Sequence, residues 1–445
     1  MKFINTIKNI WKIEELKTRI LVTLGLLLVY RFGAQVVLPG VDAAQLQNLA
    51  SQTDSGLLGL LNAFTGGAFS RASVFALGIM PYISASIVVQ LMGIAIPYLQ
   101  KLQKEGESGR KRIDQITRWL TIAITLVQGP GYIYNLFSTL PQSAFLIGST
   151  VTFVASSVVI LTTGTVFAMW LGEKITDRGI GNGISLLIMV GIMARLPLAF
   201  VQEFASRVFE SNGGLIMILI ELVLWFVIIL AAIMLVMAVR QIPVQYARRT
   251  ASGGYEKNVF GSRQYIPLKL NASGVMPIIF AQAIMFIPAA VAGLSDSDAA
   301  QGVTAAFSDI FGFWYNLVFA LLIIIFTYFY TAITVPTNKM ADDLKRSGGF
   351  IPGIRPGSET GEFLDRIMSQ ITLPGSVFLA LIAVFPAIVI KILGVQQGWA
   401  LFFGGTSLLI LVGVAIDTMQ QVNSYLLNRH YDGLMKTGKN RKAVA

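Results

Sequence analysis

The sequence predicts an all-α polytopic membrane bundle of ten transmembrane helices. Ten apolar stretches are each long enough to cross a bilayer, the basic residues are shared very unevenly among the segments between them, and the composition is 54% hydrophobic and 13% charged with mean hydropathy +0.68. About 20 apolar residues make one helical crossing. Hydrocarbon offers no partner to a free backbone N–H or C=O, so each crossing must satisfy its own backbone as a helix. These values argue against a soluble globular domain.

The expected spans are 20–37, 74–96, 119–137, 145–171 and 184–201, then 215–239, 272–291, 314–335, 371–393 and 399–419. The first follows Lys2, Lys8, Lys12, Lys17 and Arg19, as the apolar core of a signal peptide would. Its length, and Pro39 and Gly40 where a small-residue cleavage site would stand, read as a retained first span. If that span leaves from the cytoplasm, 29 of the 34 Lys and Arg fall in cytoplasmic segments, which is the positive-inside distribution. The five exceptions are Arg31, Arg71, Arg195, Arg207 and Lys391, and both termini are expected in the cytoplasm. The net charge of +11 is therefore mainly topological and not a sign of nucleic-acid binding.

Five spans lie on each side of 203–212, which divides the chain into an N-terminal half, 1–205, and a C-terminal half, 206–445. Breaks are expected at Pro81, at Gly129, Pro130 and Gly131, at Pro277, and at Pro374 and Pro386. Such breaks survive only against protein or water, so they suit either a central path or ordinary packing kinks.

Ionisable groups within the spans are few: Arg31, Arg195, Glu221, Lys391 and Asp417, several of them near the ends. An ion-coupled pump needs carboxylates or histidines deep in the bundle. The only histidine, His430, lies in the C-terminal tail, and there is no Cys. A nucleophile with an adjacent base is thus missing from the spans, and no enzymatic activity is expected. Gly179, Gly181 and Gly183 lack the following Lys-Ser or Lys-Thr of a phosphate-binding loop and read as a tight turn before the fifth span.

Ile79 and Ile83 bracket Pro81 and share a helix face, Ile279 follows Pro277, and Ile188 and Ile410 lie in the fifth and tenth spans. Spacing alone leaves two readings, residues facing lipid or core, or an aliphatic constriction that excludes ions by dewetting.

Several segments carry a family resemblance: FSRASVFALGIMPYISASIVVQ at 69–90, DRGIGNGIS at 177–185, IPLKLNASGVMPIIFA at 266–281 and YFYTAITV at 328–335. They continue in order with KRSGGFIPGIRPG at 345–357, LDRIMSQITLPG at 364–375 and FGGTSLLI at 403–410. Through these segments the chain resembles the SecY family of bacterial protein-conducting channels. The resemblance implies an hourglass of two pseudo-symmetric five-span halves, with Ile79, Ile83, Ile188, Ile279 and Ile410 as the aliphatic ring at its waist. It implies a plug segment over 57–70 containing Phe64, Gly66 and Gly67. It also implies a lateral gate between spans two and three and spans seven and eight, where Ser84, Gln128 and Gln282 either bond across the seam or line a wet funnel. The loops 240–271 and 336–370 would dock a ribosome or an ATPase motor through Arg248, Arg249 and Arg355. The tip RRTASGGYEKNVFGSR and the order Val335-Pro336-Thr337-Asn338 depart from the commoner family versions. The implied partners are SecE, SecG, SecA, the ribosome, secretory and membrane precursor polypeptides, and membrane lipid; no cofactor or metal is implied. The expected activity is passage of unfolded polypeptides across the bacterial cytoplasmic membrane and sideways release of apolar segments into it. A secondary transporter and a poreless insertase are the alternatives from other classes.

Overall fold

The computed structural model describes residues 11, 13–46, 59, 62–146, 149–209, 214–246, 264–292 and 309–441, with side chains at 94, 104, 283, 286–292 and 427–441 outside that description. A helix stands at each of the ten expected spans: α1 Glu14–Gly33, α2 Met80–Ala95, α4 Glu107–Thr139, α5 Thr150–Arg178 and α6 Gly183–Phe209, then α7 Gly214–Met237, α8 Met276–Ala292, α9 Phe313–Thr334, α11 Ser358–Leu393 and α13 Gly405–Arg441. Shorter helices, α3 Pro97–Lys104, α10 Thr337–Arg346 and α12 Gln397–Ala400, lie between them. Among the described residues six helices are long and apolar enough to cross a bilayer on their own, or seven spans if the bent pair α2 and α3 is one. The others fall short for visible reasons. α1 carries Glu14, Glu15, Lys17, Arg19 and Arg31, α4 is diluted by Gln128 to Gly131, and α8 has 17 residues.

The chain divides into two compact units, Met1–Asn212 with Gln396–Trp399 and Gly413–Ala445, and Gly213–Val395 with Ala400–Val412. In the first unit α4 packs on α2 and α5, and α5 on α1 and α6. In the second, α11 packs against α9, α10 and α7, and α8 against α9. Polar residues on buried faces spend their hydroxyls locally: Thr117, Thr121 and Thr125 of α4 donate to the carbonyls of Ile113, Thr117 and Thr121 at 2.9, 2.7 and 2.7 Å. This lets a threonine stripe lie inside an apolar environment without an orphaned donor.

Two expectations are corrected. The prolines do not break the described helices. Pro81 and Pro277 stand in the first turns of α2 and α8, where a missing N–H costs no hydrogen bond. Pro130, Pro374 and Pro386 lie inside the continuous helices α4 and α11. The second span accordingly begins at Met80 instead of residue 74, because 65–79 is a run of turns. The region 240–271, expected as a large loop, carries strands that the all-α reading did not include: β1 Val239–Tyr246 pairs antiparallel with β2 Gln264–Lys269, and β3 Gly349–Phe350 adds to the other edge of β1. Ile242 and Val244 of β1 and Leu268 of β2 are buried with Leu344, Ile351, Leu364 and Met368 in a core of their own.

Candidate functional site

Segment 62–79 occupies the first unit as a mostly buried insert, made largely of turns, between helices. Asn62 to Phe64 form a short helical turn, and Gly66 and Gly67 then take left-handed φ of 65° and 86° to reverse the chain. Glycine adopts that backbone without the steric cost of a Cβ. The turn closes on itself. Asn62 Oδ1 accepts the Ser70 N–H at 3.1 Å, the Asn62 carbonyl accepts the Gly67 N–H at 2.9 Å, and Thr65 Oγ1 accepts the Phe69 N–H at 3.2 Å.

Three side groups from surrounding helices hold it. Arg31 Nη1 at the end of α1 donates to the Gly66 carbonyl at 2.8 Å. The buried Tyr132 hydroxyl of α4 donates to the Phe69 carbonyl at 2.8 Å, with its ring edge-on to Phe69. Gly191 of α6 supplies absence: a Cβ there would come within 2.8 Å of the Phe64 carbonyl oxygen. The chain after the turn is tied to the chain after α1, since Leu38 N–H donates to the Ala72 carbonyl and Val74 N–H to the Val36 carbonyl, at 2.8 and 2.9 Å. Phe75 then stacks on Tyr30 and on Phe167, and Gly33 and Gly164 leave room for its ring.

The sequence-predicted residues are distributed as follows. Phe64 is buried, with Gly66 and Gly67 in the turn just described. Ile79 is buried at the N-cap of α2, Ile83 is half-buried one turn on, and Ile188 is buried in α6; Ile279 of α8 is half-buried and Ile410 of α13 is buried, both in the second unit. Ser84 is half-buried on α2, Gln128 is exposed on α4, and Gln282 is buried on α8 with its Oε1 lacking a hydrogen-bond partner among the described residues. Arg248 and Arg249 lie outside the described residues. Arg355 is 87% exposed and reaches Glu359 at 3.6 Å, while its carbonyl accepts the Thr360 hydroxyl at 2.8 Å. That bond and the left-handed Gly353 and Gly357 on either side fix the backbone from which Arg355 projects.

Sequence reasoning missed Asn62, Tyr132 and Gly191. A glycine inside an otherwise apolar helix was the available signal for Gly191, since it costs roughly 1 kcal/mol against alanine and so marks a close approach.

The family model for SecY matches residues 73–419 of this chain. The chain belongs to the SecY family. Among its relatives, the protein translocase subunit SecY of Streptomyces scabiei is 41% identical over 438 residues, covering 96% of this chain and 98% of that protein. The subunit of the same name in Halalkalibacterium halodurans is 40% identical, covering 97% and 99%, and that of Mycobacterium tuberculosis 37%, covering 98% and 99%. Solved structures agree on the fold. A structure described as that of a protein conducting channel matches with TM-score 0.59 at 17% identity over 92% of both chains, and Sec61 in a canine ribosome-channel complex with 0.54 at 16% over 92% of both. The segments quoted from the sequence for the SecY resemblance all lie within the matched region except the first four residues of 69–90. The chain is a multi-pass membrane protein of the SecY family.

Proposed function

We propose that in this SecY-family protein-translocation channel an unfolded polypeptide passes through a ring made by Ile79, Ile83, Ile188, Ile279 and Ile410, and that segment 57–70 is the plug that closes the outer side of the ring. The observation that carries the reading is the seat of residues 62–70. A short segment with left-handed glycines is held by single polar contacts from α1 and α4 and by a glycine gap in α6, an arrangement that can be released without unfolding a helix. Aliphatic side chains at the narrow point exclude water and ions by dewetting, yet bind a passing chain weakly. No covalent chemistry is required of this chain, so energy comes from a partner or from the membrane potential.

Release of apolar segments into lipid gains roughly 0.3 to 0.6 kcal/mol per strongly apolar residue. In this reading the gate is the seam between α2 and α4 on one side and α8 and α9 on the other, with Ser84, Gln128 and Gln282 along it. Gln282, buried and with an unmet oxygen, is the member suited to accept a bond across the seam. On the cytoplasmic side the turn between β3 and α11 presents Arg355 to a docking partner, the SecA motor or the ribosome, with Arg248 and Arg249 completing the surface. SecE and SecG are the small subunits of the assembly, its setting is the bacterial cytoplasmic membrane with both termini cytoplasmic, and its halves are 1–205 and 206–445.

The chain contains no cysteine, so single cysteines report unambiguously. With Cys placed at Ile279 or Ile410 and a precursor carrying one Cys stalled in transit, a disulfide between them is expected. Crosslinking only at positions on the cytoplasmic side, never at either isoleucine, would replace the pore by a surface groove. For docking, Arg355→Ala is expected to lower motor-driven translocation while leaving thermal stability unchanged; equal translocation would remove Arg355 from the docking surface.

A further inference from the structure

The five basic residues that escape the positive-inside distribution do not escape it for one reason. Arg207 is paired within α6, its Nε donating to Glu203 Oε1 at 2.8 Å with both side chains buried. Lys391 stands exposed in the last turn of α11, where the helix dipole favours a cation. The other three, Arg31, Arg71 and Arg195, line a single cavity of about 350 Å³ in the first unit. They come from three separate places in the chain, the end of α1, the stretch before α2 and the middle of α6.

No Asp or Glu stands among the described residues that line this cavity. Arg31 donates to the Gly66 carbonyl at 2.8 Å and Arg71 Nη1 to Gln35 Oε1 at 2.6 Å, so both of these named bonds go to uncharged oxygens. The guanidinia of Arg31 and Arg71 have five donors each, so these two bonds leave further donors on both. Placing like charges in one recess with low-dielectric walls raises the local potential and draws an anion. The cavity volume lies at the lower end of the roughly 300–1,000 Å³ typical of ligand pockets. Leu46 and Leu198 supply apolar wall beside the charged part.

We propose that this cavity binds a phosphate group, with Arg31, Arg71 and Arg195 as its ligands. Arginine pairs bidentately with phosphate. Three such forks exceed what the two oxygens of a single carboxylate accept, whereas a phosphate presents further oxygens. The apolar wall accommodates the organic part of a phosphodiester, as in a phospholipid headgroup. Gly66 and Gly67 form part of the same cavity, so a bound phosphate contacts the guanidinium that holds the Gly66 carbonyl.

The test uses the full-length protein in an uncharged detergent, titrated with sodium phosphate against sodium chloride of equal ionic strength, with binding followed by calorimetry and by the thermal midpoint. Saturable phosphate binding is expected, weakened on the order of tenfold or more by Arg195→Gln, since one hydrogen bond to a charged group contributes about 1.5–3 kcal/mol. Arg71→Gln serves the same purpose should the first variant not fold. Phosphatidylglycerol vesicles compared with vesicles of an uncharged glycolipid, without free phosphate, separate the two sources. An Arg195-dependent stabilisation by phosphatidylglycerol identifies the headgroup, and its absence beside binding of inorganic phosphate identifies a soluble phosphate. The proposal is overturned if phosphate does not saturate, if the variants bind it as the parent does, or if polyglutamate stabilises the protein while phosphate fails. The last result would assign the cavity to acidic polypeptide.

Discussion

Two regions of the molecule are buried without being spans, and they differ in how far single directed contacts hold them. In residues 62–79 the turn at 62–70 is fixed by directed bonds, Arg31 to Gly66, Tyr132 to Phe69 and an internal Asn62 to Ser70 contact, and by a fit against Gly191 that tolerates no Cβ, while Phe69, Ala72 and Ala76 add apolar packing against Tyr132, Ile133 and Leu136. The sheet of β1, β2 and β3 is held by an apolar core of Ile242, Val244, Leu268, Leu344, Ile351, Leu364 and Met368. Hydrogen bonds exchange with water at a small net cost, about 0.5–1.5 kcal/mol each, so a segment fixed by a few of them can leave its seat. Apolar burial is lost only by exposing the surface to water, and its cost grows with area. In the proposed reading the turn at 62–70 is the region that is released and the sheet the one that stays.

The comparison can be broken most strongly at the sheet. Leu364→Ala removes a fully buried side chain and is expected to cost about 2–5 kcal/mol. Hydrogen exchange should accelerate through 239–246 and leave 62–70 unchanged; acceleration in both would mean that the two regions do not respond independently. Arg31→Gln removes a charge-assisted bond of about 1.5–3 kcal/mol from the seat of 62–70. Maleimide labelling of a cysteine at Ala63 should speed up with the thermal midpoint hardly moved, and unchanged labelling would show that this bond does not hold the segment. Gly191→Val forces a Cβ against the Phe64 carbonyl, with an overpacking cost of about 1–3 kcal/mol. Ion conductance of the idle channel in planar bilayers is the measure, expected to rise; a tight seal would argue that α6 yields instead. Tyr132→Phe keeps the ring contact with Phe69 and deletes only the hydroxyl, so a loss of about 0.5–1.5 kcal/mol and a smaller rise in Ala63-site labelling are expected. A larger effect than that of Arg31→Gln would shift the main anchor from α1 to α4.

That the chain is a helical membrane protein, roughly where its long helices lie, and which family it belongs to are legible in the sequence alone. Those features are encoded by apolar runs of bilayer length, which need no partner to be recognised. It misjudged the prolines, since a proline's effect depends on whether it falls in a first turn, as Pro81 and Pro277 do, or inside a helix that packing keeps continuous, as Pro374 and Pro386 do. It also missed the sheet around Ile242 and Ile266, because a strand pairing across the intervening residues of 247–263 leaves little periodic signal. Only the tertiary structure decided that Arg31, Tyr132 and Gly191 converge on one short segment, and that Arg31, Arg71 and Arg195 share one cavity. These residues are separated by tens to more than a hundred positions. Hydrogen bonding and charge act through distances of a few ångströms, which sequence separation does not report.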